Sequence, residues 1–269
     1  MQRLKVLTLN IWHREQQWEK RRALIRRGLE QLAPDVMGVQ EVLELSTGGT
    51  RRDQAEELAE GLGYRTLFAG AQTLGPGLTF GNALLTRHEV VAHEVLALPG
   101  AESGETRCLL YALVRTPSAD VPVFVTHLNW KLHQGSIRLK QLDFIENAIA
   151  ERAPTGKTYP PILMGDLNAE PESDEVRWLR GFATLNGRSI FFADAWAYAG
   201  DGGAGFTFDR RNPNAARSHE PPRRIDYIFV RGPDPKWRGE PLLTRVVFDE
   251  PEGDVWASDH FGLYTELSL

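Results

Sequence analysis

The sequence predicts a layered protein of β-strands and α-helices. Three observations carry this: short apolar runs that stop at polar residues, two long amphipathic segments with helical spacing, and strand-like runs close enough to pair as antiparallel hairpins. Length and composition agree with that picture. The chain has 269 residues, 42% hydrophobic and 25% charged, the make-up of an ordinary globular protein with material for one large core. No Ser/Gly linker divides it, so residues 1–269 read as one domain. A formal charge of -5 gives no overall attraction to nucleic acid, so binding a polyanion requires a local basic patch.

In chain order, Leu4 to Leu9 reads as a strand that leaves Asn10, Ile11 and Trp12 at its exit. From Gln17 to Leu32, Trp18, Ala23, Leu24, Ile25, Leu29 and Leu32 fall at helical spacing until Pro34, and the arginines among them read as a solvated face. Val36 to Val42 is a buried strand with Glu41 near its far end, where core packing supplies no reason for an acid. A polar loop is expected over Leu45 to Arg52, a short helix over Gln54 to Leu62 and a strand over Tyr64 to Phe68. The Gly- and Pro-rich stretch Leu74 to Gly81 reads as a loop leading into Asn82 to Thr86. Val90 to Leu98 and Arg107 to Arg115 are spaced as a hairpin.

Val121 to Thr126 is a further strand with His127, Leu128 and Asn129 at its exit, and Ser136 to Glu151 has helical periodicity. Ile162 to Met164 is a buried strand running into Gly165 and Asp166. Ser173 to Leu185 is expected as a helix opened by a Ser-Asp-Glu cap, and Phe191 to Trp196 as a helix or a connection. Gly200 to Pro222 is irregular, with Phe206, Thr207 and Phe208 alternating like a brief strand. Arg210, Arg211, Arg217, Arg223 and Arg224 form a basic cluster that either flanks a site or is simply solvated. Strands are expected from Arg224 to Val230, Leu243 to Asp249 and Phe261 to Leu267, the last preceded by Ser258, Asp259 and His260.

The single cysteine, Cys108, forms no intramolecular disulfide, and its apolar neighbours suit a buried thiol. Only Val6 to Leu9 follows Lys5 before Asn10, too short for a signal-peptide core, and no stretch approaches 18 apolar residues. The expectation is a cytoplasmic protein without membrane spans.

Asp166 and Asn168 close the Ile162 strand two residues apart, which on an extended backbone sends a carboxylate and an amide to one face. Such a pair suits a water and a phosphoryl oxygen, and it equally suits an Asx turn. Asn10, Glu41, His127, Asp226, Asp259 and His260 stand beside other strand-like runs, and loops at one end of a sheet protein can bring such groups together. So many carboxylates in one place require a cation, and oxygen donors without a cysteine cluster favour Mg²⁺ or Mn²⁺ over structural zinc.

Six motifs then carry a resemblance: Leu9-Asn10-Ile11-Trp12, Gln40-Glu41, Thr126-His127-Leu128, Gly165-Asp166-Leu167-Asn168, Arg224-Ile225-Asp226-Tyr227 and Ser258-Asp259-His260. In this order the chain resembles the endonuclease/exonuclease/phosphatase superfamily over nearly its whole length. The resemblance implies an α+β fold, a four-layer α/β-sandwich of two packed, mostly antiparallel sheets flanked by helices. It implies Glu41, Asn10 and Asp259 as metal ligands, Asp166 and Asn168 as the groups that orient water and phosphate, and His260 steered by Asp226. His127 is placed at the leaving oxygen, and Arg107 and Asn82 at positions where relatives contact phosphate or flank that histidine. Deoxyribonuclease-like members have a glutamate close to the Asn82 position, and the sequence shows no clear acid there.

The resemblance defines the reaction better than the substrate. The expectation is a Mg²⁺- or Mn²⁺-dependent phosphodiesterase, with a nuclease among its forms, acting on nucleic acid, a lipid head group or a small diester. A phosphomonoesterase for a sugar or inositol phosphate is the nearest alternative and calls for a closed arginine pocket. A silent phosphate-binding module is the alternative of another class. Trp12 and Trp130 either overhang the site, Trp130 as a substrate contact, or pack under loops. The oligomeric state is left open, and a monomer is compatible with the sequence.

Overall fold

A computed structural model of the chain describes residues 2–156, 158–232 and 234–269. Its thirteen strands and five α-helices are β1 Arg3–Asn10, α1 Trp18–Leu32, β2 Val36–Thr47, β3 Thr50–Asp53, α2 Gln54–Ala59, β4 Arg65–Gly75, β5 Leu78–Thr86, β6 Glu89–Ala97, β7 Cys108–Arg115, β8 Asp120–His127, α3 Gly135–Arg152, β9 Ile162–Asp166, α4 Asp174–Leu179, β10 Phe192–Asp194, α5 Ala195–Ala199, β11 Asp226–Arg231, β12 Pro241–Val247 and β13 Gly262–Ser268. One sheet runs β12-β13-β1-β2-β5-β4, with β3 paired to β2, and the other runs β10-β11-β9-β8-β7-β6. Two pairs are parallel, β1 with β2 and β8 with β9, and the remaining pairs are antiparallel.

Period-two side-chain alternation builds the layers. On β1, Leu4 and Val6 face the second sheet, while Leu7 and Leu9 face α1 and α2. On β9, Ile162 and Met164 face the first sheet and Leu163 packs toward α3 and α4. Both faces of the central strands are therefore covered, which is why their sequences are unbroken apolar runs. The result is the expected four-layer sandwich of mostly antiparallel sheets between helices. Truncating a fully enclosed residue such as Leu163 to Ala should cost about 2–5 kcal/mol.

Several local expectations give way to tertiary context. The Leu45 to Arg52 loop is instead a hairpin, because β2 continues to Thr47 and turns through Gly48 and Gly49, both left-handed, into β3. Its polarity reflects two exposed faces, and not a lack of pairing. Likewise β4 runs to Gly75 and β5 starts at Leu78, so the expected Leu74 to Gly81 loop shrinks to a turn at Pro76 and Gly77. A Cβ on Gly77, at φ +68°, would meet the Ser46 carbonyl oxygen at 2.4 Å.

The Ser173 helix stops at Leu179, before the left-handed Gly181, and the Ser173 hydroxyl donates to the Glu170 carbonyl without capping the helix. Phe192 to Asp194 is a strand, after which Asp194 caps α5 by accepting from the Trp196 N–H. Phe206 to Phe208 makes only an isolated bridge, Phe208 to Arg223. Among the described residues, no helix is long and apolar enough to cross a membrane.

The α1 arginines are not all solvated. Arg21 is buried, and its guanidinium donates to the carbonyls of Ile11, Trp12, His13, Glu15 and Ala257. Five hydrogen bonds satisfy the fork, so an arginine replaces apolar packing at one point of the helix face. Burial lowers its pKa to about 10, against the opposing charges of Asp259, Glu15 and Glu41. Arg21 thereby ties the β1 exit loop to the loop that carries Asp259.

Candidate active site

Sheet register assembles the centre of the site. Asp166, the last residue of β9, is paired with His127 of parallel β8 on one side and with Asp226 of antiparallel β11 on the other. Gly165 makes the close approach feasible: at φ +142° it carries no side chain where a Cβ would meet the Thr126 carbonyl oxygen at 1.9 Å. From the facing sheet, Asn10 at the end of β1 donates to Asp166 Oδ2 and to Glu41 Oε1, each at 3.1 Å. One amide thus joins two carboxylates and both sheets.

Glu41 reaches this place through a β-bulge. Pairing of β2 with β5 shifts between Val39 and Val42, and Glu41 adopts φ +59°. A left-handed non-glycine residue costs about 1 kcal/mol or more, and the return is a carboxylate re-aimed from the strand into the cavity. Asn168 is also left-handed, at φ +51°, and its backbone N–H donates to Asp166 Oδ1 at 2.9 Å. The Asx turn and the convergent pair therefore coexist: the turn, and not an extended backbone, brings the Asn168 amide 3.1 Å from His127 Nε2.

Two histidines approach Asp166 Oδ2, His127 Nε2 at 3.4 Å and His260 Nε2 at 3.8 Å. They differ electrically. Donors face both ring nitrogens of His127, Arg107 Nη1 at 3.1 Å from Nδ1 and Asn168 Nδ2 at 3.1 Å from Nε2. Burial, the Arg107 charge and His260 together push the His127 pKa well below its ordinary value. For His260 burial acts in the same direction, but the carboxylates of Asp226, Asp259 and Asp166 outweigh it and hold the pKa well above its ordinary value. Its Nδ1 lies 2.9 Å from Asp226 Oδ2. The site therefore holds one neutral and one charged imidazole.

Burial and the neighbouring Asp226 raise the Asp166 pKa to about 7, against the opposing effects of His260, Asn10 and the Asn168 backbone. Asp259 is raised to about 6 by burial, opposed by His260, with Glu41 adding repulsion. These carboxylates crowd one another, and hard oxygen donors under mutual repulsion fit a divalent cation. Glu41 and Asp259 offer oxygens toward the cavity. Asn10 turns its own oxygen to the Trp12 N–H at 3.0 Å, so its amide spaces the carboxylates as it stands. Among the described residues, Asp166, Asp226 and His260 also bring potential ligand atoms within 4.8 Å of one another, although the His260 nitrogen nearest Asp226 is held by hydrogen bonding.

A cavity of about 450 Å³ opens over these groups, with Trp12, His13, Trp130 and Phe208 among its walls. Trp130 is half exposed at the rim, so it does not pack beneath a loop. Arg107 lies behind His127, its other amino group on Glu105 at 3.0 Å. Glu105 reaches His127 only through Arg107. Asn82 does not join the site: it is buried, donates to the Cys108 carbonyl at 3.3 Å and is absent from the cavity wall, because β5 turns it toward β7.

The basic cluster also resolves. Arg224 is buried against Asp194 at 3.0 Å, and Arg211 pairs with Asp249 at 3.3 Å. Arg223 alone of the five lines the cavity, and Glu220 and Glu170 hold it. Sequence reasoning misses the part played by Thr207, whose buried hydroxyl accepts from the N–H groups of Ile225 and Asp226 at 3.2 and 3.1 Å. Its carbonyl takes the Phe261 N–H at 2.7 Å, and the next residue, Phe208, packs on His260 with ring centres 5.0 Å apart. The Phe-Thr-Phe alternation was the only signal for this clip.

Comparison with known proteins follows the same lines. The endonuclease/exonuclease/phosphatase family profile matches residues 7–260. A crystal structure of an endonuclease/exonuclease/phosphatase from Beutenbergia cavernae is 27% identical, with a TM-score of 0.75 over 100% of this chain and 72% of that one. A family protein from Leptotrichia buccalis is 21% identical, with a TM-score of 0.72 over 99% and 100% of the two chains. TDP2 from D. rerio, in complex with single-strand DNA product, is 20% identical with a TM-score of 0.75 over 100% of both chains. Comparison with curated protein sequences gives no match. The profile spans every motif of the assembled site, and the chain belongs to the endonuclease/exonuclease/phosphatase family of metal-dependent phosphoester hydrolases.

Proposed function

We propose that this chain, acting as one domain over residues 1–269, is a Mg²⁺- or Mn²⁺-dependent phosphodiesterase that hydrolyses its substrate by in-line attack of water. The observation that carries the reading is the enclosure of Asp166 between a neutral and a charged histidine, at 3.4 and 3.8 Å from one of its oxygens. Asp166 accepts a proton from water, with a pKa of about 7 that suits a base working near neutrality. Asn168 and Asn10 fix its two oxygens. His260, kept protonated by Asp226, donates to the phosphoryl oxygens and opposes the charge that grows on them. His127, as a neutral imidazole, hydrogen-bonds the departing ester oxygen without giving up its own proton, and that oxygen takes its proton from solvent water. Glu41 and Asp259 would hold a divalent ion, which when bound would supply Lewis-acid charge at the phosphoryl group.

Charge supports the diester over the monoester. Among the described residues, Arg223 is the only Lys or Arg lining the cavity, and two carboxylates already hold it. A dianionic monoester finds no free guanidinium here, whereas a diester carries one charge. Trp12 and Trp130 offer faces to a base or another flat group, which keeps nucleic acid among the diesters to be screened. The test compares hydrolysis of bis-p-nitrophenyl phosphate and p-nitrophenyl phosphate with Mg²⁺, Mn²⁺ or EDTA, with Asp166→Asn as the blank. Metal-dependent cleavage of the diester is expected; faster cleavage of the monoester would move the assignment to a phosphatase. Equal rates for wild type and Asp166→Asn would remove the catalytic reading and leave a binding module.

A further inference from the structure

Beside the catalytic cavity lies a second chamber of about 270 Å³. The two share His13, Glu41 and Trp130 as walls, so they lie side by side with Glu41 between them. The far wall of the second chamber is apolar, made by Leu43, Leu74 and Phe80 from β2, β4 and β5. Its floor is the Arg107–Glu105 pair, directly behind His127. Phe80 connects the two regions, with its ring centre 6.4 Å from that of His127 and the Arg107 guanidinium 5.9 Å away.

Resting on the phosphodiesterase reading, we propose that this chamber is a specificity subsite for one ester arm of the substrate, and that the arm it takes is an uncharged, flat ring. Its position gives the first half of the argument. A phosphoryl group beside Asp166 and His260 has the second chamber within reach of its oxygen on the His127 side, because Arg107 and Phe80 contact that histidine from within the chamber wall. Chemistry gives the second half. The two Arg107 amino groups are spent on Glu105 and His127, and Lys131 Nζ pairs with the other Glu105 oxygen at 3.7 Å, so a second phosphate or a carboxylate finds no free cation there. Leu74, half exposed at the end of β4, and Phe80 present apolar area that water covers poorly and a ring covers well. Gln72 at the same wall supplies an amide for the polar edge of a heterocycle.

The ring could belong to a nucleoside or to an aryl alcohol, and the shared requirement is planarity without charge. Binding is measured on Asp166→Asn with Mg²⁺, by calorimetry with dimethyl phosphate, methyl phenyl phosphate and thymidine 5′-methyl phosphate, so that the result is independent of turnover. About tenfold tighter binding of at least one ring-bearing ester is expected, the effect of sheltering a ring face. Preference for the phenyl ester assigns an aryl arm, and preference for the thymidine ester a nucleoside. Leu74→Glu, a change at an exposed position that adds a third carboxylate, should abolish the preference while leaving dimethyl phosphate binding unchanged. Equal affinity for all three esters, or a ring preference untouched by Leu74→Glu, overturns the subsite. Failure of wild type to cleave bis-p-nitrophenyl phosphate would instead count against the phosphodiesterase reading, whatever the binding series shows.

Discussion

His260 Nδ1 stands 2.9 Å from Asp226 Oδ2, both residues buried, and the second oxygen of that carboxylate has no hydrogen-bond partner. The carboxylate is therefore committed to a single task, holding the imidazole charged and in one orientation. Asp226→Asn should lower kcat by about 100-fold, within the range for a positioned acid or base group. A raised histidine pKa means that charge on His260 is favoured below the folded pKa and lost as pH rises through it. Removing Asp226 should therefore move the alkaline limb of the rate profile to lower pH. A limb that stays in place would separate His260 from the ionisation that controls activity.

Asp166 predicts a conflict between function and stability. Its pKa rises from 3.8 to about 7 on folding, chiefly through burial, so the folded protein binds a proton that the unfolded chain releases between those values. The apo protein should then lose stability as pH climbs from about 4 to about 7. Asp166→Asn substitutes a neutral group of the same shape. Without added metal it should unfold at a higher temperature than wild type at pH 8, by an amount that shrinks as pH falls toward 4, while kcat drops by about 1,000-fold or more. Differential scanning calorimetry at the two pH values checks the sign. A lower melting temperature for Asp166→Asn at pH 8 would contradict it.

The fold was legible where periodicity had one interpretation. Apolar runs such as Val121 to Thr126 and Ile162 to Met164 are covered on both faces, and their polar exits, His127 and Asp166, become register neighbours in the structure. Six local motifs could therefore locate the site before its geometry was known. Sequence did not reveal what depends on distant partners. Arg21 resembles any surface arginine of an amphipathic helix, because the carbonyls that satisfy it come from two loops, one 236 residues away. Asn82 and Arg107 stand in suitable motifs, yet strand pairing turns Asn82 to Cys108 and gives Arg107 to His127. Left-handed backbone at Glu41 and Asn168, both non-glycine, leaves no compositional trace.

The Arg107–His127 contact sets the charge of the second histidine. Burial is the main reason that His127 stays neutral, and the guanidinium on Nδ1 is the next. Arg107→Met removes the positive charge and the donor while keeping an apolar side chain of similar length. The His127 pKa should rise toward its ordinary value without reaching it, since burial persists. Imidazole NMR shifts followed over pH 4–8 would show it, with His127→Gln to assign the signal. An unchanged titration would mean that burial alone sets the charge.

Thr207 supplies the sharpest test of how the site is held, because its hydroxyl can be removed without changing its shape. The hydroxyl accepts from the backbone N–H groups of Ile225 and Asp226, and its carbonyl takes the Phe261 N–H beside His260. Thr207→Val keeps the branched volume but leaves two buried donors without an acceptor, a loss of about 1–3 kcal/mol. Thr207→Ser keeps the acceptor and opens a methyl-sized space. If the hydroxyl positions Asp226, the valine variant should lose kcat by about tenfold with KM nearly unchanged, because a misplaced Asp226–His260 pair weakens interactions made in the transition state. The serine variant should recover most of that kcat even where its melting temperature falls as far as that of the valine variant. Steady-state kinetics beside thermal unfolding of the three proteins distinguishes the two effects. Activity that follows stability alone, with Ser and Val equally impaired at equal melting temperature, would reduce Thr207 to a packing residue.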